Sequence, residues 1–144
     1  MKTNLYLTQT DTTIGFISQD TSKINKAKNR LPNKYYIRVV DSLESLKTFT
    51  RVPEKYKNRV RRAKKSTFIF PCGESFRVVK ETKHNLLLDR MRWVYSSSAN
   101  LSGEEYDELY AKEHTEVIVS SPNIKQGTSS KIYFLGHKRL KVIR

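Results

Sequence analysis

The amino-acid sequence predicts a single α/β domain in which helices flank a mixed, twisted β-sheet. The chain has 144 residues, the usual size of one domain. Its composition, 37% hydrophobic and 10% aromatic, is typical of a globular protein. Strand-like and helix-like segments are interspersed without strict βαβ alternation, which favours a mixed sheet. No repeat or Pro/Gly-rich linker interrupts the chain, so we expect residues 1–144 to form one domain.

The predicted strands are short runs of β-branched and aromatic residues. The segment Tyr35–Val40 (YYIRVV) has the composition of a buried strand. The other predicted strands are Asn4–Thr8, Thr67–Phe70, Phe76–Val79, Val94–Ser96, Val117–Ser120, Ile132–Leu135 and Leu140–Ile143.

Capping patterns and apolar spacing predict the helices. Asp41 is expected to cap one helix, with Glu44 three residues later. Ser102 and Glu105 form a capping-box pattern before a helix that carries Tyr106, Leu109 and Tyr110. A further helix is expected at His84–Met91.

One predicted helix is strongly basic. Pro53 suits its first turn, and it would run to about Lys65 with Tyr56 and Val60 on the inner side. Its solvated face would carry the residues that we consider candidates for binding RNA: Lys57, Arg61, Arg62, Lys64 and Lys65. An equally open interpretation is a soluble helix with incidental charge.

The net charge of the whole chain also favours binding of a polyanion. Lys and Arg number 28 against 14 Asp and Glu, a formal net charge of +14. Between Lys23 and Lys65 there are fifteen basic and three acidic residues. Such a field attracts polyanions, including RNA, DNA, nucleotide phosphates and acidic membranes. The alternative is a basic surface that only keeps the protein in solution.

Several classes of protein are excluded or disfavoured. No run of about 18 apolar residues predicts a transmembrane helix, and the first ten residues lack the apolar core of a secretory signal. The single cysteine, Cys72, excludes an internal disulfide and fits a reducing cytosol. His84, His114 and His137 have no metal-ligand spacing. We therefore expect a cytoplasmic protein without membrane contact or a protein-held metal.

Three polar segments between predicted strands are candidate ligand sites. Thr10–Phe16 (TDTTIGF) could hold a small polar ligand, or could simply form an Asx/ST turn. In Lys28–Lys34 (KNRLPNK), Lys28 and Arg30 would point the same way on an extended segment and could reach one phosphate chain. Ser96–Gly103 (SSSANLSG) would precede a helix whose N-terminal amides attract anions, or would only cap that helix.

In their order along the chain, these segments resemble the Sua5/YrdC/YciO family. Its members carry P-T-D-T-V-Y-G-L, then K-x-R-P-x-x-K, then T-S-A-N-x-S-G and a late S-T-I. The matching segments here are Thr10–Phe16, Lys28–Lys34, Ser97–Gly103 and Ser130-Lys131-Ile132. Ser66–Phe70 is similar to the family's T-F-I-L strand and Ser75–Val79 to its G-V-R-V-P strand. The resemblance runs from Leu5 to Arg144.

The resemblance implies a YrdC-like fold and the activity of a short, TsaC-like threonylcarbamoyl-AMP synthase. ATP, which would bring Mg²⁺, reacts in the family with L-threonine and bicarbonate to give threonylcarbamoyl-AMP and pyrophosphate. The product would feed N6-threonylcarbamoyladenosine formation at position 37 of tRNA, through the TsaB, TsaD and TsaE transfer proteins.

The resemblance also implies the site residues. We expect one positive cleft lined by six of them: Thr10, Lys28, Arg30, Arg77, Ser98 and Asn100. The catalytic residues would be Lys28, Arg30, Ser98 and Asn100. The ATP phosphates would also meet Ser96 and Ser130, and threonine would be held by Thr10 and Arg77.

Two other functions remain open. One is a non-catalytic module that binds double-stranded RNA, tRNA or the ribosome, because family members bind double-stranded RNA and a charge of +14 suits that role. The other is a carbamoyl-transfer domain like that of hydrogenase-maturation proteins, although the accessory zinc-finger and acylphosphatase segments are missing from this sequence.

Overall fold

A computed structural model describes residues 4–9, 14–29, 36–79, 91–100, 104–119, 130–136 and 139–143. In chain order the elements are β1 (Tyr6–Gln9), β2 (Ile14–Ser18), α1 (Thr21–Lys28), β3 (Ile37–Val40), α2 (Leu43–Lys47), a 3₁₀ turn (Glu54–Tyr56), α3 (Lys57–Arg62), β4 (Ser66–Ile69), β5 (Ser75–Val78), β6 (Trp93–Ser98), α4 (Glu108–Glu113), β7 (Val117–Ile118), β8 (Lys131–Leu135) and β9 (Leu140–Val142). None of the helices in this part of the chain is long and apolar enough to cross a membrane.

The chain divides into two compact units. The first unit comprises Met1–Tyr36 and Val94–Thr128, and the second comprises Ile37–Trp93 and Ser129–Arg144. The expectation of one domain over residues 1–144 stays a prediction.

The first unit is built on a mixed sheet. β1 is parallel to β7 and antiparallel to β2, and β2 is antiparallel to β6 with Gly15 opposite Ser98. Side chains from these strands and from α1 and α4 form one apolar core: Leu5, Leu7, Ile14, Phe16, Ile24, Ala27, Tyr36, Ala99 and Ala111. Burying this set holds α1 and α4 against the sheet.

The second unit also has a mixed sheet. β5 is parallel to β3 and antiparallel to β4, β4 is parallel to β8, and β8 is antiparallel to β9. Its core is richer in large side chains: Val40, Leu43, Leu46, Val52, Tyr56, Val60, Phe68, Phe70, Phe76, Val78 and Leu135. Strands of both orientations in each unit confirm the predicted mixed-sheet α/β class.

Two elements of the first unit were not expected from the sequence. Ile14, Gly15 and Phe16 were assigned to a polar turn, but they belong to β2 and are buried. Helix α1 begins after Asp20, and its apolar residues Ile24 and Ala27 are three apart, so they lie on one face. Each of these two elements contains only a short apolar stretch, which gave little evidence of a strand or a helix in the sequence.

The predicted helix ends needed correction. Asp41 follows the end of β3 and donates its N–H to the Arg92 carbonyl, and Ser42 caps α2 instead. Asp107, rather than Ser102, caps α4, since its carboxylate accepts from the Leu109 and Tyr110 N–H groups. Ser102 lies outside the described residues, and so does the predicted helix His84–Met91 except for Met91.

The basic helix is shorter than predicted. Pro53 precedes the 3₁₀ turn, and α3 ends at Arg62 because Ala63 is extended. Lys65 has a positive φ of 49° and leads into β4. Tyr56 and Val60 are buried, as the spacing predicted.

Candidate functional site

The C-terminus of α1 presents Lys28. The Asp20 carboxylate caps the start of this helix by accepting from the Ser22 N–H at 3.0 Å. The helix ends at Asn29, which has a left-handed φ of 51° and donates its N–H to the Lys26 carbonyl. Lys28 is therefore the last helical residue, and the expectation that it lies on an extended segment is wrong.

The Lys28 ammonium is buried and fully engaged. Only 1% of the residue is exposed. It donates to the Ser98 carbonyl at 2.8 Å, the Asn100 carbonyl at 3.0 Å and the Asn100 Oδ1 at 3.0 Å. A buried ammonium is tolerated only when its donors are met in this way. Lys28 thus fixes the chain that leaves β6.

The Asn100 side chain is held at both ends. Its Oδ1 accepts from Lys28 and from the Ser98 hydroxyl, the latter at 2.5 Å, while its Nδ2 donates to the Glu104 carbonyl at 2.5 Å. The backbone between them is anchored by the Ala99 N–H, which donates to the Ile14 carbonyl at 2.9 Å. We call Lys28, Ser98 and Asn100 the Lys28 cluster.

Tyr110 supports the cluster from α4. Its hydroxyl donates to the Ala27 carbonyl at 2.6 Å, and its ring stacks on His114 with centroids 3.9 Å apart. Carbonyls in the last turn of a helix have no hydrogen-bond partner within the helix. The Tyr110 hydroxyl supplies one for the Ala27 carbonyl, directly before Lys28. The sequence pattern predicted only that Tyr110 lies on a helix. The available signal for a wider role was its hydroxyl group, which usually has a hydrogen-bond partner when the ring is buried.

Charged side chains stabilise helix α1 at its start, along its length and in its last turn. The hydrogen bond from Ser22 holds the pKa of Asp20 below its usual value. Lys23 forms an ion pair with Glu116 at 2.5 Å, and the hydrogen bond from Lys23 lowers the pKa of that carboxyl. Lys26 and Lys28 lie in the last turn, where the helix dipole favours cations.

The structure gives different surroundings to the other predicted site residues. Ser96 is buried in β6 of the first unit. Arg77 is buried in β5 of the second unit, and the Ser130 hydroxyl shares a buried hydrogen bond with the Thr67 hydroxyl at 2.8 Å, also in the second unit. Thr10 and Arg30 lie outside the described residues, so the single cleft stays a prediction.

The basic face of α3 lies in the second unit. Lys57 pairs with Glu54 at 2.5 Å and is half-buried. The other four candidates for binding RNA are exposed: Arg61, Arg62, Lys64 and Lys65.

The Lys28 cluster offers a buried cation, a hydroxyl and an amide. Such donors neutralise and align anions and do not form the nucleophile–base pair of a covalent catalyst. Ser98 is the exposed residue of the cluster. The charged Lys28 ammonium lies next to it and donates to its carbonyl. Among the described residues, no group of three or more His, Cys, Asp and Glu side chains could hold a metal ion.

The fold is shared with solved structures of the Sua5/YrdC/YciO type. A double-substituted form of P. abyssi Sua5 has a TM-score of 0.82 at 20% identity, over 98% of this chain and 49% of that one. P. abyssi Sua5 complexed with L-threonine has a TM-score of 0.80 at 19% identity, over 98% and 50%. E. coli YciO has a TM-score of 0.78 at 14% identity, over 99% and 83%.

These similarities establish a Sua5/YrdC/YciO-like fold, as the sequence motifs predicted. The chain spans about half the length of the Sua5 structures it matches. No protein-family model and no curated protein sequence matches it.

Proposed function

We propose that this protein is an L-threonylcarbamoyladenylate synthase that makes threonylcarbamoyl-AMP from ATP, L-threonine and bicarbonate. The observation that carries the proposal is the contact between Lys28 and Asn100. It joins the K-x-R and S-x-N segments, which are 72 residues apart in sequence. A Sua5 structure with this fold holds L-threonine, which supports threonine as a substrate.

The proposed reaction needs charge neutralisation more than a protein nucleophile. The threonine amine adds to bicarbonate with loss of water, which gives a carbamate. A carbamate oxygen then attacks the α-phosphorus of ATP, the bond from the α-phosphorus to the bridging oxygen breaks, and pyrophosphate leaves. Three anions are thereby brought together, so positioned cations and neutral donors lower the barrier.

The contacts support the role of Lys28, and the family resemblance implies the roles of the other residues. Lys28 would hold the Ser98–Asn100 backbone in shape and contribute its positive charge, because its N–H groups are engaged by that loop. Ser98 would redirect its hydroxyl, which donates to Asn100 Oδ1 in this structure, toward the phosphates, with Ser96 and Ser130 as further phosphate contacts. Arg30 would contact the phosphates directly with its fork of donors. Thr10 and Arg77 would hold threonine.

Mg²⁺ would come with the nucleotide. Lys, Ser and Asn are poor ligands for Mg²⁺, which prefers carboxylates and phosphate oxygens. The Lys, Ser and Asn side chains therefore fit a site in which ATP itself holds most of the Mg²⁺ coordination. The Mg²⁺ would offset the negative charge of ATP. We also propose a cytoplasmic location and delivery of the product to the TsaB, TsaD and TsaE machinery that modifies tRNA.

The test is pyrophosphate release by the purified protein in the presence of ATP, L-threonine and bicarbonate. Release that requires all three substrates, with threonylcarbamoyl-AMP identified by mass, would support the proposal. Lys26→Ala is a matched control for Lys28→Ala, because Lys26 is exposed in the same helical turn. A folded protein that releases no pyrophosphate above the omission controls would contradict it.

The second candidate is a non-catalytic module that binds double-stranded RNA or tRNA. The observation in its favour is the distribution of charge, since the second unit contains twenty Lys and Arg against six Asp and Glu, whereas the first contains eight of each. The two functions differ in the pyrophosphate assay, since only the synthase consumes ATP.

A further inference from the structure

The net positive charge of this protein belongs to one of its two units. The first unit is neutral, and the whole excess of +14 falls within Ile37–Trp93 and Ser129–Arg144. The Lys28 cluster lies in the neutral unit. A small-molecule site therefore does not account for the charge, whereas a polyanion bound to the second unit does.

An open groove of about 410 Å³ lies within the second unit, between α3 and the sheet. We call it the α3–β8 groove. It is lined by Asn58, Arg59, Arg62, Ala63, Ser66, Phe68 and Tyr133. Both arginines are exposed and Tyr133 is half-buried, whereas Phe68 is buried. The groove therefore combines two guanidinium groups with an aromatic floor whose accessible ring is Tyr133.

The Tyr133 ring packs against two other side chains that line the groove, Phe68 and Arg59. The Phe68 and Tyr133 rings are stacked with centroids 5.5 Å apart and planes 23° apart. The Arg59 guanidinium lies 5.5 Å from the centroid of Tyr133. Arginine planes and aromatic rings are the surfaces on which unpaired bases stack.

The sheet extends this floor at both sides of Tyr133. Lys131 lies two residues before it on β8, so both side chains share one face, and Lys131 is exposed. Val142 lies opposite Tyr133 on β9 and is 63% exposed. A chain of nucleotides on this face would meet cations for its phosphates and apolar surface for its bases.

The groove has the size of a site for one small ligand. A volume of about 410 Å³ has room for a single base or nucleotide beside Tyr133. Helix α3 has six residues, about 9 Å, and turns Arg59 and Arg62 toward the groove instead of projecting as a reading helix. RNA is the nucleic acid whose loops and bulges commonly offer unpaired bases.

We propose that the α3–β8 groove binds single-stranded RNA, with a base stacked on Arg59 above Tyr133 and the neighbouring phosphates on Arg62 and Lys131. This site is independent of the proposed synthase activity, since it uses none of the residues of the Lys28 cluster.

The test is the fluorescence anisotropy of a labelled 12-nucleotide RNA at about 0.15 M salt. An abasic oligomer of equal length and charge should bind at least about fivefold more weakly, because each stacked base contributes ~1–3 kcal/mol. A fully paired RNA of equal length should also bind more weakly. Equal or tighter binding of either probe would overturn the proposal in favour of a general polyanion surface.

Two matched variants locate the site. Arg59→Lys keeps the charge and removes the stacking plane, whereas Arg51→Lys makes the same change at an exposed arginine of the second unit outside the groove lining. We expect the first to weaken binding about fivefold and the second to stay within twofold. Equal effects, or none, would overturn the assignment of the groove.

The salt dependence tests the phosphate contact. Arg62→Gln should reduce the slope of log K against log salt by about 0.7, the contribution of one phosphate on a single strand, whereas Lys26→Gln in the first unit should leave it unchanged. Tight binding to vesicles of acidic lipid with no binding of the RNA would overturn the proposal and indicate a membrane surface.

Discussion

The ammonium of Lys28 donates a hydrogen bond to the side-chain oxygen of Asn100 at 3.0 Å, across 72 positions of sequence. The same ammonium donates to the carbonyls of Ser98 and Asn100. Lys28, which is expected to act on phosphate, therefore also stabilises the loop that carries Ser98 and Asn100. Both stability and activity are expected to depend on it.

Replacing Lys28 should reduce stability as well as activity. In Lys28→Ala the loop oxygens lose a buried donor, which costs ~1–3 kcal/mol of unfolding free energy. Loss of the cation should cost a further ~2–4 kcal/mol of transition-state stabilisation in pyrophosphate release. Urea unfolding and kcat/KM measure the two effects separately. Wild-type turnover would remove Lys28 from the catalytic role, and Lys26→Ala should match the wild type in both assays.

Arg30→Ala should abolish threonine- and bicarbonate-dependent pyrophosphate release, because Arg30 is the proposed direct phosphate contact. The expected loss is ~2–4 kcal/mol in kcat/KM. Arg51→Ala, an exposed arginine of the second unit, provides the control. Unchanged kinetics in Arg30→Ala would exclude that residue from the site.

Asn100→Asp separates shape from charge. The aspartate keeps an oxygen for Lys28 and Ser98 but loses the hydrogen bond that Nδ2 donates to the Glu104 carbonyl. It also adds a negative charge beside the anionic substrates, which should raise the KM for ATP. We expect Asn100→Ala to destabilise the protein more than Asn100→Asp, as measured by the free energy of unfolding. A KM for ATP in Asn100→Asp equal to that of the wild type would argue against phosphates near this residue.

Tyr110→Phe should affect the cluster from a distance. It removes the hydrogen bond to the Ala27 carbonyl and should lower the unfolding free energy by ~1 kcal/mol. If Tyr110 positions Lys28, the KM for ATP should rise as well. Tyr106→Phe is the control, since Tyr106 also packs against the core of the first unit. A stability loss without any change in KM would limit Tyr110 to a structural role.

Asp20 should make α1 sensitive to acid. Its folded-state pKa is lowered, chiefly by the hydrogen bond from Ser22, so its contribution is complete above the unfolded pKa, about 3.9, and is lost as the pH falls through the lower folded value. At pH 7, Asp20→Ala should cost ~1 kcal/mol of unfolding free energy. Asp20→Asn keeps the cap, so its deficit relative to wild type should shrink between pH 5 and pH 2. A deficit independent of pH would contradict this.

The basic face of α3 should matter for RNA and not for the synthase reaction. Reversing Arg61, Arg62 and Lys65 to Glu should weaken tRNA binding steeply, with the slope of log K against log salt falling by roughly one per phosphate contact removed. Pyrophosphate release should be unchanged. Unchanged tRNA affinity near physiological salt would leave α3 as solvated surface.

Several features could be predicted from short stretches of sequence. The burial of Tyr56 and Val60 was predicted from their spacing of four, although Tyr56 ends the 3₁₀ turn and only Val60 lies in α3. The strand near Tyr35–Val40 follows from its β-branched and aromatic content. The ends of elements were less predictable, because neighbouring polar residues such as Asp41 and Ser42 compete as caps. In the structure Ser42 is the cap, while the Asp41 N–H donates to the carbonyl of Arg92, a contact distant in sequence.

The mixed α/β class, the net charge of +14 and the order of the K-x-R and S-x-N segments could be read from composition and local spacing. That Lys28 ends a helix and donates its ammonium to Asn100, and that Tyr133 contacts Arg59 and Phe68, became evident from the folded chain. These contacts join residues many tens of positions apart. Their geometry is set by how whole strands and helices pack, which no local pattern of residues specifies.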